Sequence, residues 1–247
     1  MNRIKAVAFD LDGTLYLGDK ALPGAVETVE RLIAGGIMVR YFTNNSTRSR
    51  RAIVAKLRGL GFPVKLDDLY TSAYVAAKFL RQKRIERVWC VGTAGLLEEL
   101  RLQGIKNITT GDRVTAVVVG LDPEFDLEKL GRVMNILAAK KILFLACNQD
   151  RNYPVGLGRY LPGCGPIVAA IENATGRAVD VVPGKPNTMM LELMARESSL
   201  RAGEILVVGD SYESDIAMAR RYRSPALLIG RKKLKGILPL VLGGEKK

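Results

Sequence analysis

The sequence contains no histidine and only three cysteines, and each scarcity excludes a class of protein. Catalysis of the Ser-His-Asp or Cys-His type is excluded, because both mechanisms need an imidazole base. The cysteines, Cys90, Cys147 and Cys164, are odd in number, far apart and in no C-x-x-C arrangement. The pattern therefore predicts neither a disulfide framework nor a zinc site, and we interpret the cysteines as small core residues.

Long hydrophobic runs are also missing. No stretch of about 18 uncharged apolar residues occurs, so the sequence predicts no membrane-spanning helix. The N-terminal segment MNRIKAVAFD reaches an acidic residue too early for the apolar region of a signal peptide. We therefore expect a cytoplasmic protein without a membrane partner. Hydrophobic residues make up 48% of the 247 positions, enough for a large core in one or two domains.

Acidic residues are outnumbered, since 38 Lys and Arg face 25 Asp and Glu and give a net charge of +13. Short basic groups occur at residues 48–51, 81–84, 220–223 and 231–235. They form no repeat and have little interleaved aromatic content, so we interpret them as solvated surface and expect no nucleic-acid partner. Attraction of a small anionic substrate is the alternative that the charge leaves open.

Apolar runs alternate with amphipathic stretches along the chain. The predicted strands are IKAVAF, IMVRYF, RVWCV, VTAVVVG, KILFLAC, AVDVV, EILVVG and PALLI. The predicted helices include GAVETVERLIAGG, RSRRAIVAKLRGLG, DLEKLGRVMNILAAK, PIVAAIENATG and NTMMLELMARESS. Because buried parallel strands have continuous apolar sequences and need helical crossovers, the pattern predicts an α/β fold.

Polar residues follow four of the predicted strands, where an open α/β sheet places its ligands. These junctions contain Asp10 to Thr14, Thr43 to Ser46, Pro183 to Pro186, and Asp210 followed by Asp215. Neighbouring carboxylates repel each other unless a pKa rises or a cation binds. Asp10, Asp12 and Asp210 therefore predict a Mg²⁺ site, since Mg²⁺ prefers oxygen ligands.

A phosphoryl group at this site would need hydrogen-bond donors and a positive counter-charge. Thr43, Asn44, the main chain near Gly13 and Lys185 can supply them. Taken singly, each motif also fits a structural role, such as a cation-binding loop or a helix cap. Lys185 is not a Walker A lysine, because Pro186 stands where that motif requires Ser or Thr.

In order and spacing these junctions resemble the haloacid dehalogenase (HAD) superfamily, which has D-x-D-G-T, a Thr or Ser after the second strand, a distant Lys and G-D-x-x-x-x-D. DGTLYLGDKALPGA, FTNNSTRSR and VVPGKPNTMM are similar to the NagD-like, or 4-nitrophenylphosphatase, branch. The resemblance covers nearly the whole chain. It implies a Mg²⁺-dependent phosphatase that hydrolyses a small phosphorylated metabolite through an aspartyl-phosphate.

The resemblance also implies a role for each motif residue. Asp10 is implied as the nucleophile, and Asp12 as the acid for the leaving group and then the base for water. Mg²⁺ is implied between the Asp10 carboxylate, the Asp12 main-chain carbonyl and Asp210. The remaining implied roles are those of Thr43, which holds a phosphoryl oxygen, Lys185, which neutralises charge, and Asp215, which orients Lys185 or a metal-bound water.

The long segment between Thr43 and Lys185 contains strands and helices of its own, so we predict a second domain within it. The expected arrangement is a Rossmann-like, doubly wound parallel core of residues 1–70 and 181–247 with an inserted α/β cap of residues 71–180. This resembles the large cap of the NagD-like branch, which excludes water and shapes the substrate pocket. In that branch the exposed face of the cap is a plausible surface for a homodimer.

The loop from Cys147 to Gly165 is the predicted specificity element, and Asn148 and Asp150 join Asn44 as predicted substrate-binding residues. An ordinary surface loop is the alternative. The family usually has N-P-D where this chain has Asn-Gln-Asp, so the substrate stays open among phosphoglycolate, glycerol phosphate, other sugar or nucleoside monophosphates and pyridoxal phosphate.

Other functions share the same residues. A phosphotransferase or phosphomutase would pass the phosphoryl group from the aspartate to a second hydroxyl. A dehalogenase is disfavoured, because Asp12 and Asp210 indicate a metal and phosphate. A non-catalytic phosphate- or nucleic-acid-binding protein is the third alternative, and salt-dependent nucleic-acid binding without turnover would indicate it.

Overall fold

The computed structural model describes residues 3–109, 113–139, 141–156, 159–230 and 234–242. The chain divides into two compact units. The first contains residues 1–43, 51–70 and 185–247, and the second contains residues 44–50 and 71–184. The predicted division into residues 1–70 with 181–247 and residues 71–180 stays a prediction. Most of the basic group at 231–235, residues 231–233, lies outside the described residues.

Strands and helices alternate through the described chain. The strands are β1 Ala6–Asp10, β2 Tyr16–Leu17, β3 Lys20–Ala21, β4 Met38–Thr43, β5 Leu69–Thr71, β6 Arg87–Val91, β7 Lys106–Asn107, β8 Ala116–Val119, β9 Leu143–Ala146, β10 Asn152–Gly156, β11 Arg159–Pro162, β12 Ile205–Gly209 and β13 Ala226–Leu228. The α-helices are α1 Ala25–Ala34, α2 Arg50–Gly59, α3 Ser72–Gln82, α4 Ala94–Leu102, α5 Leu127–Leu137, α6 Cys164–Thr175, α7 Met189–Ser198, α8 Ala217–Tyr222 and α9 Ile237–Leu242.

The first unit is built on a five-stranded sheet in the order β13-β12-β1-β4-β5. β1 pairs in parallel with β12 on one side and with β4 on the other, and β12 pairs in parallel with β13. All five residues of β1 are buried, as expected for a central strand between two neighbours. The predicted α/β class with a parallel sheet is confirmed.

An apolar cluster covers one face of this sheet. Val7 and Phe9 of β1 pack there with Val29 and Leu32, which lie three residues apart on α1 and therefore on one face of that helix. Ile237 of α9 belongs to the same cluster. The packing fixes β1 in the middle of the unit, so the residue at its carboxyl end has a defined position.

The second unit has its own parallel sheet in the order β7-β6-β8-β9. The side chains of β8 alternate between two buried clusters, because successive residues of a strand face opposite sides. Ala116 and Val118 pack with Leu80 of α3 in one cluster, and Val117 packs with Ile167 of α6 in the other. Helices therefore cover both faces of this sheet.

Two local predictions were wrong. AVDVV, residues 178–182, forms only an isolated bridge between Val181 and Leu145 rather than a strand of the first unit's sheet. Pro183, which follows, has no N–H with which to extend the pairing. The predicted loop at 147–165 contains the antiparallel hairpin of β10 and β11, whose residues 157 and 158 lie outside the described part.

Among the helices within the described ranges, none combines the length and the apolar character that crossing a bilayer requires.

Candidate active site

Asp10 is the last residue of β1, at the middle of the first unit's sheet. Strand alternation places it on the face of Ala8, opposite the face on which Phe9 enters the apolar cluster. The register pairs Phe9 with Val208 of β12, so residues that follow β12 lie beside the end of β1. The fold thus holds a buried carboxylate at a fixed point of the sheet edge.

Lys185 lies between two carboxylates. Its Nζ donates to Asp10 Oδ1 at 2.5 Å and to Asp215 Oδ1 at 2.7 Å, and all three side chains are buried. The main-chain N–H of Ser211 donates to Asp215 Oδ2 at 3.2 Å. A Cβ at Gly209 would lie 2.2 Å from that same oxygen, so glycine at the end of β12 leaves the space that the carboxylate occupies.

Asp210 completes a group of three acids. One carboxylate oxygen from each of Asp10, Asp210 and Asp215 lies within 4.8 Å of the others. Gly13 lies against Asp210, because a Cβ there would be 2.2 Å from Asp210 Oδ2. Gly13 also has φ +87°, a conformation that side chains disfavour, so both its space and its backbone require glycine.

Burial and neighbouring charges shift the pKa values of the groups at this site. Burial raises the pKa of Asp10 to about 8, against the opposing effect of the Lys185 ammonium. Burial also raises the pKa of Asp210, and the neighbouring Asp215 carboxylate raises it further. Burial alone would lower the pKa of Lys185, but the two carboxylates that it contacts raise it, so the ammonium stays charged.

One lysine therefore faces three carboxylates, and two negative charges are left uncompensated within this group when all three acids are ionised. A divalent cation would supply this missing charge. Carboxylate oxygens are the ligands that Mg²⁺ prefers, so the donor set fits the predicted metal.

Asp12 lies in a different environment from Asp10. It is exposed, and its side chain does not belong to the group of three acids. The hydroxyl of Tyr16 donates to Asp12 Oδ2 at 2.9 Å. The two acids of D-x-D are therefore divided between a buried, ion-paired position and an exposed, hydrogen-bonded one.

Thr43 and Asn44 occupy the end of β4 and the residue after it. Thr43 is buried in the first unit, whereas Asn44 begins the short segment 44–50 that belongs to the second unit. The carbonyl of Asn44 accepts hydrogen bonds from Ser72 Oγ and Asn148 Nδ2, both at 2.7 Å. Its side-chain Nδ2 donates to Asp150 Oδ1 at 3.0 Å. The structure thus brings Asn44, Asn148 and Asp150 together within the second unit.

The comparisons with known proteins agree with this geometry. The family model described as haloacid dehalogenase-like hydrolase matches residues 7–106, and a second model of HAD-like hydrolases matches residues 182–233. Human chronophin is 36% identical over 235 residues, which cover 90% of this chain and 79% of chronophin. The chain belongs to the haloacid dehalogenase-like hydrolases.

Solved HAD structures extend the comparison. A p-nitrophenyl phosphatase from Archaeoglobus fulgidus has a TM-score of 0.86 and 30% identity, covering 99% of this chain and 94% of that one. A glycerol phosphate phosphatase from Mycobacterium tuberculosis, solved in complex with magnesium, has a TM-score of 0.82 and 32% identity, covering 91% of this chain and 68% of its own. Structures of NagD and 4-nitrophenylphosphatase are also neighbours, which confirms the predicted branch.

Membership of this HAD branch makes the chain a phosphoric monoester hydrolase, because its relatives are named phosphatases. The catalytic roles of Asp10, Asp12 and Lys185, and the metal-binding role of Asp210, stay predictions for this HAD phosphatase. The structure adds the contacts of Lys185 with Asp10 and Asp215, which sequence order alone could not give.

Sequence reasoning missed several residues that contact the predicted site residues. Tyr16 reads as one more apolar position after D-x-D-G-T, and only its spacing of four residues from Asp12 hinted at a contact. Gly209 could have been noticed as a glycine at a strand end before an acid. Ser72, which holds the carbonyl of Asn44, has no local sequence signal, because the contact joins residues 28 positions apart.

Proposed function

We propose that this HAD phosphatase hydrolyses a small phosphomonoester in two steps, with Asp10 as the nucleophile and Mg²⁺ as the required cation. The observation that carries the proposal is the buried Asp10 carboxylate, fixed at the end of β1 and hydrogen-bonded to Lys185 within a group of three acids. Burying Asp10 and Asp215 with a single ammonium between them is unfavourable for folding unless a further cation or a function compensates for it.

In the first step an oxygen of the Asp10 carboxylate forms a bond to phosphorus while the bond from phosphorus to the ester oxygen breaks. Asp12 gives a proton to the departing alkoxide. In the second step Asp12 takes a proton from water, the water oxygen attacks phosphorus, and the bond to Asp10 breaks. The products are an alcohol and inorganic phosphate, and both aspartates return to their starting states.

The remaining residues position the reacting groups and neutralise their charge. Lys185 balances charge on Asp10 and on the phosphoryl oxygens, and Asp215 holds Lys185 in place by the 2.7 Å contact. Thr43 binds a phosphoryl oxygen. Asp10, Asp210 and the Asp12 carbonyl would hold Mg²⁺, which when bound supplies positive charge for phosphoryl transfer. The relatives' names, which include glycerol phosphate and sugar phosphatases, support a small metabolite as the substrate.

The test is a panel of phosphomonoesters assayed for free phosphate with Mg²⁺ and with excess EDTA. We expect hydrolysis of several small esters, including 4-nitrophenyl phosphate, and its loss in EDTA with recovery on adding Mg²⁺. Undiminished turnover in EDTA would contradict the metal requirement. Transfer of phosphate to an added alcohol in place of water would instead indicate a phosphotransferase.

A further inference from the structure

The loop that follows β1 folds back so that residues four apart lie side by side. The N–H of Leu15 donates to the carbonyl of Leu11 at 2.8 Å, and the N–H of Gly13 donates to the carbonyl of Tyr16 at 2.8 Å. Asp12 and Tyr16 form a parallel bridge across this loop. The backbone thereby presents the Tyr16 hydroxyl to Asp12 Oδ2, 2.9 Å away.

The two partners of this hydrogen bond differ in burial. Asp12 is exposed on the loop, and a short exposed side chain exchanges between rotamers unless a contact selects one. Tyr16 is 4% exposed, and its ring packs in the apolar cluster of the first unit with Leu15 and Val54. The hydroxyl is therefore a fixed donor that selects one orientation of the Asp12 carboxylate.

A cation holds the ring of Tyr16 from one face. Lys56 Nζ lies 4.2 Å from the ring centroid and 3.5 Å from Asp19 Oδ1. An ammonium over an aromatic face is attracted to the ring. The contact therefore restrains the ring from that face.

We propose that Tyr16 is a positioning residue for Asp12, and that its hydroxyl holds the carboxylate where it exchanges protons with the leaving group and with water. This inference rests on the proposed function, in which Asp12 is the acid and base. Tyr16 itself does not touch the reacting atoms, so its loss should weaken proton transfer without weakening substrate binding.

The test is Tyr16→Phe, which removes the hydroxyl and keeps the ring. For an alkyl phosphate such as glycerol phosphate we expect kcat to fall about tenfold, a fraction of the effect of a proton-transfer group itself, while KM stays within about twofold. With 4-nitrophenyl phosphate, whose leaving group needs little protonation, Tyr16→Phe should accumulate phosphoenzyme, because the water step still needs a positioned base.

Two comparisons separate positioning from a general structural effect. Tyr70→Phe is the matched control, since Tyr70 is a buried tyrosine of the same unit whose hydroxyl donates to a carboxylate, Glu197 Oε2, at 2.8 Å. It should leave kcat unchanged. In an Asp12→Asn background, Tyr16→Phe should have almost no further effect on kcat, because the group that it positions is gone.

The failures can be told apart. An equal fall in kcat when Tyr16→Phe is made in the wild-type chain and in the Asp12→Asn variant would overturn the role of Tyr16 alone. Unchanged kinetics in Tyr16→Phe beside an active wild-type enzyme would do the same. Absence of wild-type turnover on every ester in the presence of Mg²⁺ would overturn the proposed function and this inference with it.

Discussion

Asp10 and Asp12 are two positions apart, yet the fold gives them opposite surroundings. Asp10 is buried against Lys185, where a nucleophile is shielded from water and held by an ammonium. Asp12 is exposed and contacts a neutral hydroxyl, where a proton can be exchanged with water or with a leaving group. The difference in surroundings is the physical basis of the separate roles proposed for the two carboxylates.

This division predicts different outcomes for the two amide substitutions. Asp10→Asn should lower turnover by about a thousandfold or more, because the nucleophile is lost while the shape is kept. Asp12→Asn should slow both steps, and with 4-nitrophenyl phosphate the second step more than the first. An acid-stable, hydroxylamine-labile phosphoenzyme should then accumulate in Asp12→Asn, detected as added mass in the quenched protein. Phosphate found on intact Asp10→Asn chains would refute Asp10 as the nucleophile.

Gly13 offers a second test at the scale of a single residue. Gly13→Ala places a methyl group 2.2 Å from the present position of Asp210 Oδ2 and forces φ +87° on alanine, so Asp210 must move. We expect Mg²⁺ affinity to fall by about ten- to a hundredfold, the range seen when support for a metal ligand is lost.

Gly18→Ala is the matched control for Gly13→Ala. Gly18 also has a positive φ, +58°, but a Cβ there would meet no atom within 4 Å. The control should therefore show backbone strain in its melting temperature while keeping its Mg²⁺ affinity, measured by titration calorimetry. Equal loss of affinity in both variants would mean that strain in the loop, and not the displacement of Asp210, is responsible.

At the scale of elements, the segment 44–50 is tied to the second unit at several points. Thr93 Oγ1 donates to the carbonyl of Thr47 at 2.6 Å, and a Cβ at Gly95 would lie 2.4 Å from that same oxygen. At the far end of the segment, the Arg50 guanidinium lies 3.6 Å from the ring centroid of Tyr74. These contacts explain why a stretch that directly follows β4 belongs to a different unit from β4.

Glu99 of α4 is a buried acid that binds Arg50, the last residue of the segment 44–50. Its Oε1 accepts from the main-chain N–H of Arg50 at 2.7 Å, and its Oε2 accepts from Arg50 Nε at 3.2 Å. Glu99→Ala should lower the free energy of unfolding of the second unit by about 3–5 kcal/mol, because it removes the carboxylate that pairs with the buried Arg50 side chain. Urea denaturation followed by circular dichroism measures the change. Glu98→Ala is the control, because Glu98 lies on the same helix and is only partly buried. It should shift the midpoint of the urea transition far less. Equal shifts in the two variants would contradict a stabilising role of the buried Glu99–Arg50 pair.

Elements were predictable from the sequence where burial alone determines them. β1 and β12 have uninterrupted apolar sequences, because neighbouring strands and packed faces enclose them on all sides. AVDVV has the same local character, but β-propensity does not determine the partner, and the segment lies beside β9 of the other sheet. The hairpin of β10 and β11 was missed because all of the described side chains in β11 are exposed and show no alternation of burial.

Prediction of the candidate site from the sequence is limited in the same way, because local patterns do not determine distant partners. The order of the junctions was enough to predict that Asp10 and Asp210 belong together, since carboxyl ends of parallel strands share one edge. Lys185 was grouped with them by way of the AVDVV strand, which does not form in that sheet. It could not predict that Asn44, Asn148 and Asp150 bond to one another, because those contacts join residues 104 and 106 positions apart. Side-chain partners at such separations depend on packing that no local pattern contains.

At the scale of the whole molecule, the group of Asp10, Asp210 and Asp215 has an excess of negative charge, although the chain has a net charge of +13. A cation that binds the folded state and not the unfolded state stabilises it by about 2.7 kcal/mol at a hundred times its dissociation constant. We therefore expect Mg²⁺ to raise the melting temperature by several degrees, measured by scanning calorimetry. NaCl at equal ionic strength is the control. Asp210→Asn should lose most of the Mg²⁺ response, and a response that persists undiminished would place the ion elsewhere.

The separation of β1 from β12 along the chain also sets an order of events during synthesis. β1 consists of residues 6–10, and one of its two neighbours in the sheet, β12, consists of residues 205–209. The central strand is therefore synthesised almost 200 residues before its pairing can be complete. The second unit, in contrast, is completely synthesised once Gly184 has been added to the chain. On the ribosome the second unit can therefore fold while β1 still has an unpaired apolar edge, and an unpaired edge of this kind is prone to pair with another chain.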